Sequence, residues 1–255
     1  MLTMIEVLKA ILFGVVEGIT EWLPISSTGH MILLDEFVKL NVSKEFLDLF
    51  LVVIQLGAIL AVVVIYWNKL IPLSTKHGLH ISRRKCKMWV KIIVASIPAG
   101  VVGILWDDVF TKYFYNYQTV AIMLILVGVV FIIIERSNKN KIAKIDSIDD
   151  ISYGQAFLIG VFQMIAAIFP GTSRSGSTIV GSLMLGISRT AAAEFTFFLA
   201  VPAMFGGSAI KILKYSGGFN SAEVALLAIG MIVAFVLSII AIKFLMSYIK
   251  KHDFK

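Results

Sequence analysis

The sequence predicts an all-α polytopic membrane protein: two inverted-topology repeats, each a broken re-entrant helix pair followed by membrane-spanning helices. Three observations carry that prediction. The 255 residues are 58% hydrophobic and 15% charged, with a mean hydropathy of +0.91, whereas an ordinary soluble domain carries about 25% charged residues. Five stretches, about 46–67, 87–106, 118–135, 190–213 and 222–247, run 18 or more residues almost without charge, the length a helix needs to cross a bilayer. Two further apolar segments, about 4–34 and 152–187, are interrupted in the middle. A soluble enzyme, a disordered tail and a secreted disulfide scaffold are excluded.

The interruptions read Pro24-Ile25-Ser26-Ser27-Thr28-Gly29 and Pro170-Gly171-Thr172-Ser173-Arg174-Ser175-Gly176. Proline removes a helix donor and the hydroxyl run supplies new N-caps. Each segment therefore reads as helix–loop–helix, entering the membrane and returning to the same side. At an offset of 146, residues 14–30 align with 160–176, with five identities in 17 positions: Gly14/Gly160, Val15/Val161, Ile19/Ile165, Pro24/Pro170 and Ser27/Ser173. About one identity is expected from average residue usage. Glu17 with Gln163, Ser26 with Thr172, and Asp48 with Glu194 are conservative pairs at the same offset.

The repeat divides one membrane domain, 1–255, into about 1–136 and about 152–255. Three spans separate the two broken segments, and an odd number turns the second copy upside down, an arrangement that gathers unwound segments near the midplane. A partner for span 118–135 is expected near 264–281, beyond Lys255. The second copy is thus expected to lack its last helix, or the sequence to be truncated.

Loop charge sets the expected orientation. Residues 68–88, 136–151 and 248–255 hold six, four and three Lys/Arg, while 35–45, 107–117 and 211–221 hold two, one and two. The richer side belongs in the cytoplasm. That distribution also accounts for the net charge of +7 without a nucleic-acid partner. Cys86 is the single cysteine and has no expected role. The N-terminus lacks a basic n-region, and Glu6, Lys9, Glu17 and Glu21 interrupt its apolar run; a cleaved signal peptide is not expected.

Chemistry concentrates at the interruptions. Glu17 and Glu21 are four apart, on one helical face. A charge at membrane depth costs about 2.5–3.5 kcal/mol on insertion scales and by default signals function. Two such carboxylates need a cation between them or a shared proton; Arg174, a divalent metal, or both are the candidates. Ser26, Ser27 and Thr28 open the returning helix, where capping is their simplest role. His30, three residues after Ser27, is placed to act as the base that a hydroxyl nucleophile needs.

In the second interruption, Arg174 stands in a run of hydroxyls and glycines with Ser173, Ser177 and Thr178 around it. Its planar fork and a helix N-terminus both suit phosphate oxygens. The run lacks the endings of a Walker loop and of a nucleophile elbow. Arg189 and Glu194 either extend the site or mark the start of span 190–213. Gln55 is a candidate packing or supporting group. His77, His80 and His252 lie in basic loops with no specific role expected, and Trp67 and Trp89 fit an interfacial belt.

The runs Glu17–His30 and Pro170–Thr178, together with Ser188-Arg189-Thr190-Ala191-Ala192-Ala193-Glu194-Phe195, make the chain resemble the bacitracin-resistance undecaprenyl-diphosphate phosphatases. The resemblance extends over nearly the whole chain. It implies hydrolysis of undecaprenyl diphosphate to the monophosphate, recycling the lipid carrier of cell-wall synthesis. It also implies a multi-pass protein of the bacterial plasma membrane with interlocked inverted repeats, an outward-facing active site and a divalent cation, Mg2+ or Ca2+.

By the same resemblance Glu17 and Glu21 form the acidic motif and the tentative metal ligands. Ser27 and His30 are the proposed nucleophile and its partner, with a water held at Ser27 as the alternative attacker, and Ser173, Arg174 and Thr178 belong to the phosphate-binding motif; Ser26 and Thr28 join that phosphate-binding set. Relatives carry one more apolar helix at the C-terminus, the one the repeat finds missing. The expected partners are a polyprenyl diphosphate and membrane lipid, with a homodimer left open. A flippase or anion transporter is the competing class, because inverted repeats with broken helices also build transporters. It would need the arginine and helix ends but not a hydroxyl–histidine pair beside two carboxylates. A non-catalytic lipid-binding protein leaves that pair unexplained as well.

Overall fold

A computed structural model describes residues 3–74, 80–114, 116–138 and 142–252; His77 lies outside them. In chain order the helices are α1 (Met4–Thr20), α2 (Ser27–Phe37), α3 (Lys44–Ile65), the single turn α4 (Trp67–Leu70), α5 (Arg83–Phe114), α6 (Tyr117–Asn138), α7 (Tyr153–Ile168), α8 (Arg174–Met184), α9 (Arg189–Lys214) and α10 (Ser221–Tyr248). A two-residue antiparallel hairpin, Leu73–Ser74 with His80–Ile81, interrupts the α4–α5 connection, and a 3-10 turn (Ile148–Asp150) precedes α7. Five of the described helices, α3, α5, α6, α9 and α10, are long and apolar enough to cross a membrane. They are the five expected spans, with α5 longer than the expected 87–106. The protein is an all-α polytopic membrane protein.

Both broken segments are helix pairs that return to the end at which they start. Near the start of α1, Lys9 Nζ donates to the Lys39 carbonyl at 2.6 Å and Glu6 accepts from Asn41 N–H at 2.9 Å, so the residues just beyond α2 lie against it. The same end holds the α9–α10 connection, where Glu45 accepts from Ser216 N–H at 3.1 Å. The second pair starts at the other end of the bundle. There Lys144 N–H donates to the Gly186 carbonyl and Ser188 N–H to the Ile145 carbonyl, both at 2.8 Å. That end also carries Arg84 paired with Asp149, Lys69 bonded to Glu194 at 2.5 Å, Lys91 Nζ donating to the Asp149 carbonyl at 2.5 Å, and Trp89 Nε1 donating to the Leu70 carbonyl at 2.7 Å. Trp89 is therefore a pin between α5 and α4. The basic segments share this end.

The helix packing explains how the broken pairs are held. α1 lies chiefly against α10, and α7 chiefly against α5. Lipid tails are as apolar as leucine, so membrane helices associate through close backbone approach at small residues. A Cβ on Gly14 would stand 2.7 Å from the Gly230 carbonyl oxygen, and one on Gly160 only 2.2 Å from that of Ala95. Gly57 makes the same contact for α3 on α10, with Met231 O 2.1 Å from where its Cβ would be. Around Trp22, Phe195, Phe197 and Phe198 the centre of the molecule is fully buried, and the Trp22 and Phe197 rings meet edge to face at 5.2 Å.

The two interruptions share one backbone solution. Ser26 (φ 67, ψ 93) caps α2 by accepting from Gly29 N–H, and Ser173 (φ 62, ψ 111) caps α8 by accepting from Gly176 N–H. They are the described non-glycine residues with positive φ, a conformation L-residues adopt at a cost and one that concentrates at functional sites. This pairing corrects the alignment beyond each break: the offset becomes 147, not 146, so Ser26 matches Ser173, Gly29 matches Gly176, and Ser27 occupies the position of Arg174. Gly171, at φ +92 and with Val120 O 2.7 Å from a would-be Cβ, lets the second loop pass against α6.

Candidate active site

The two loops meet. Arg174, the first residue of α8, crosses to the end of α1 and donates from Nη2 to Glu21 Oε1 at 2.5 Å. The other carboxylate oxygen of Glu21 accepts the Ser27 hydroxyl proton. Ser175 completes the join: its hydroxyl lies 3.3 Å from the Glu21 carbonyl, 3.2 Å from that of Leu23 and 3.2 Å from Ser173 Oγ. Glu21, Ser27 and Arg174, 153 residues apart at the extremes, thus form one charged cluster.

The cluster is shielded from solvent and incompletely paired. Glu17 is fully buried one turn before Glu21, and both its carboxylate oxygens lack a partner among the described residues. Arg174 Nη1 is likewise buried and unbonded. Orphaned charged groups inside a protein cost far more than exposed ones. A buried polar group left without a protein partner is a point at which a ligand, ion or water can supply one. A free guanidinium N–H suits a phosphate oxygen, and two free carboxylate oxygens suit a hard cation.

His30 is one turn into α2, half-buried. Its Nδ1–H donates to the Ser26 carbonyl at 2.8 Å. A carbonyl can only accept, so Nδ1 carries a proton, and Nε2 is the acceptor of the ring in its neutral form. The expected Ser27–His30 bond is not the one made: the hydroxyl of Ser27 turns to Glu21, because the strained turn at Ser26 directs Ser27 toward the end of α1.

The remaining expected residues divide. Ser26 and Ser173 face into the loops as caps, their oxygens taken by the N–H groups of Gly29 and Gly176 at 3.2 and 3.0 Å. Thr28 lies half-buried in the first turn of α2. Thr178 is 1% exposed and engaged elsewhere: its hydroxyl donates to the Arg174 carbonyl at 2.9 Å and meets Thr196 Oγ1 at 2.8 Å. It fixes α8 against α9 one turn behind Arg174. Thr196 and the bridging Ser175 went unassigned in the sequence, and only the repeated hydroxyls of the second interruption hinted at Ser175.

Arg189 and Glu194 mark the start of α9: Arg189 grips the buried Glu135 of α6 through Nε and Nη2, and Glu194 holds Lys69. Gln55 is half-buried on α3. His252 bonds the Tyr248 carbonyl at 3.2 Å and stacks on that ring, and His80 lies in the hairpin. Cys86 is a free, half-buried thiol.

Among the described residues no group of three or more His, Cys, Asp or Glu side chains is close enough to hold a metal alone. Glu17 and Glu21 still fit a cation of the Mg2+ or Ca2+ kind, which takes one or two carboxylates and completes its shell with phosphate oxygens and water. The free oxygens of Glu17 are the observation that favours the fit.

Comparison with known proteins agrees with this architecture. Residues 10–255 match the family profile described as Bacitracin resistance protein BacA. An undecaprenyl-diphosphatase of Desulfitobacterium hafniense is 63% identical over 254 residues, covering 100% of this chain and 91% of the relative. Undecaprenyl-diphosphatase 1 of Clostridium acetobutylicum is 61% identical over 98% of this chain and 92% of its own length. An undecaprenyl-diphosphatase of Enterococcus faecalis is 57% identical over 100% and 92%. With the profile spanning residues 10–255 and these relatives aligned over 98–100% of this chain, the chain belongs to the bacitracin resistance protein BacA family.

Proposed function

We propose that the joined loops are where this chain removes the terminal phosphate of undecaprenyl diphosphate. The activity itself follows from the family: the chain is an undecaprenyl-diphosphate phosphatase, it recycles the lipid carrier of cell-wall synthesis, and its family name ties it to bacitracin resistance. The observation that carries the site assignment is the Ser27–Glu21–Arg174 cluster with its unpartnered Arg174 Nη1 and Glu17 oxygens.

In this reading the diphosphate sits against the N-terminus of α8. Arg174 Nη1 takes an oxygen of the terminal phosphoryl group, while Nη2 keeps Glu21 in place. Ser27 Oγ attacks the terminal phosphorus in line, its proton passing to Glu21, and undecaprenyl phosphate leaves as the P–O bond breaks. Water then hydrolyses the phosphoserine. His30 Nε2 is the second acceptor available for these proton transfers. Stabilising the equatorial oxygens supplies most of the rate in reactions of this type. Ser26 and Ser173 act by holding both helix N-termini open toward the phosphates, and Thr28 lines the first of them. Thr178 acts through the placement of Arg174. Glu17 and Glu21 would hold a divalent cation, which when bound neutralises charge on the diphosphate.

The inverted repeats belong to the same proposal. Matching strained caps, close glycine approaches at Gly14 and Gly160, and starts at opposite ends of the bundle support two copies, about 1–136 and 152–255. Basic segments gathered at one end support a cytoplasmic location for that end and an outward-facing site. Transport is the weaker reading, because it gives the Ser27–Glu21 bond nothing to do.

The test is phosphate release from undecaprenyl diphosphate by protein in detergent, with and without EDTA. Release is expected to stop with EDTA and return with Mg2+ or Ca2+. EDTA-insensitive release at full rate would remove the cation from the site. Release by a chain whose labelled Ser27 never becomes phosphorylated in rapid-quench samples would replace serine attack by water.

A further inference from the structure

The end of the molecule remote from the α1–α2 start carries a second binding feature, between α3 and the last turns of α10. A cavity of about 250 Å³ is lined by Lys243, Lys250, Ser247 and Tyr66 over an apolar floor of Ile65, Ile242 and Met246. Among the described residues no carboxylate pairs with Lys243 or Lys250. Glu194, the acid whose charge acts on Tyr66, is already paired with Lys69 at 2.5 Å. Tyr66 is held by its ring, which meets Phe198 edge to face at 5.2 Å. The cavity is cationic, with two hydroxyls and aliphatic walls.

Its setting says what fits. Val236, Ile240, Lys243 and Ser247 follow one another at i, i+4, i+7 and i+11, one face of α10, and Lys250 lies in the turn just beyond its end. The face is apolar and exposed through Val236 and Ile240, then turns cationic within one turn at the helix end. Leu60 and Val64 add exposed apolar surface on α3, the helix α10 packs against. A single ligand matching this sequence has acyl chains beside a headgroup with negative charge. Basic pockets between membrane helices recognise anionic lipid headgroups in this way.

We infer that this cavity binds the phosphate headgroup of an anionic glycerophospholipid, with Lys243 and Lys250 on the phosphate and the acyl chains along Val236 and Ile240. The site is separate from the Glu21–Arg174 cluster and does not depend on its chemistry. Phosphatidylglycerol fits it and phosphatidylcholine, with its compensating ammonium, does not.

The experiment is native mass spectrometry of the intact protein titrated with phosphatidylglycerol and, separately, with phosphatidylcholine. Wild type is expected to retain one phosphatidylglycerol per chain in preference to phosphatidylcholine. The Lys243→Gln/Lys250→Gln variant should bind it about 30-fold more weakly, from the usual contribution of a lysine near an anionic headgroup. The Lys211→Gln/Lys214→Gln variant, with the same charge change at the opposite end, should bind as wild type does. Lys243→Arg/Lys250→Arg keeps the charge and should retain the lipid, which guards against a folding artefact. Equal weakening in both Gln variants, or phosphatidylcholine held as tightly, would overturn the inference. So would preferential displacement by undecaprenyl phosphate, which would make this a second site for the product.

Discussion

Replacing Arg174 by alanine removes two interactions that the structure assigns to different nitrogens. Nη2 holds Glu21 at 2.5 Å, and Nη1 is buried with no partner among the described residues. In the proposed site the free nitrogen takes the substrate, and losing one preorganised donor to a developing charge costs about 10²–10³ in turnover. The other nitrogen is structural. A hydrogen bond to a charged group is worth about 1.5–3 kcal/mol, and the Arg174 side chain is only 19% exposed, so little of that is screened. For a chain of this length such a loss lowers the melting temperature by about 3–10 °C.

Arg174→Ala should therefore release phosphate about 10²–10³-fold more slowly and melt lower. Adding Glu21→Gln removes the stranded carboxylate, so the double variant should regain much of the thermal stability and none of the turnover. The assays are phosphate release at saturating lipid and scanning fluorimetry in one detergent. Turnover of Arg174→Ala within tenfold of wild type would refute the site. Purely additive stability effects would refute the Arg174–Glu21 coupling, since contacting residues couple by about 0.5–3 kcal/mol.

Other perturbations read the remaining parts. Ser27→Ala should lose turnover with a near-normal KM for the lipid; an unchanged kcat would show that the hydroxyl is not attacking. Thr196→Val should cost about 1 kcal/mol of stability and Thr178→Val more, because its hydroxyl also donates to the Arg174 carbonyl; combined they should cost no more than Thr178→Val alone, because both delete the same 2.8 Å contact, and full additivity would deny the contact. Gly57→Ala and Gly160→Ala should each lower the melting temperature, since their Cβ atoms would meet Met231 O at 2.1 Å and Ala95 O at 2.2 Å, whereas Gly100→Ala, with nothing within 4 Å, should not. Equal behaviour of the three would reject the close helix approach. Ser26→Ala should weaken the α2 cap by about 0.5–2 kcal/mol, and Ser26→Gly by less, because glycine also relieves the positive φ; the reverse order in melting temperature would count against strain there.

Much of this protein was legible before any coordinates. Twenty-residue apolar runs admit few outcomes in a bilayer, where every backbone group must be satisfied within its own helix. Hence the five spans appear within a few residues of where hydropathy puts them, and the proline–hydroxyl runs break the two remaining segments where expected. The same scarcity of charge made Glu17, Glu21 and Arg174 conspicuous, because an ionisable group at that depth needs a reason.

What the sequence could not decide was which of the clustered polar groups touch. His30 sits three residues from Ser27 and invited a hydroxyl–imidazole pair, but the positive φ of Ser26 turns Ser27 to Glu21 and leaves the imidazole on the Ser26 carbonyl. Thr178 reads as a phosphate ligand from its motif, yet its contact with Thr196, 18 residues away, holds it behind the helix. The shared positive-φ caps at Ser26 and Ser173, 147 residues apart, were equally hidden, because identities at 146 pointed elsewhere. Spans follow from summed hydropathy, which is additive along the chain. Side-chain partnership depends on a few dihedrals and on contacts between residues 150 or more apart, such as Glu21 and Arg174, and only the folded molecule sets those.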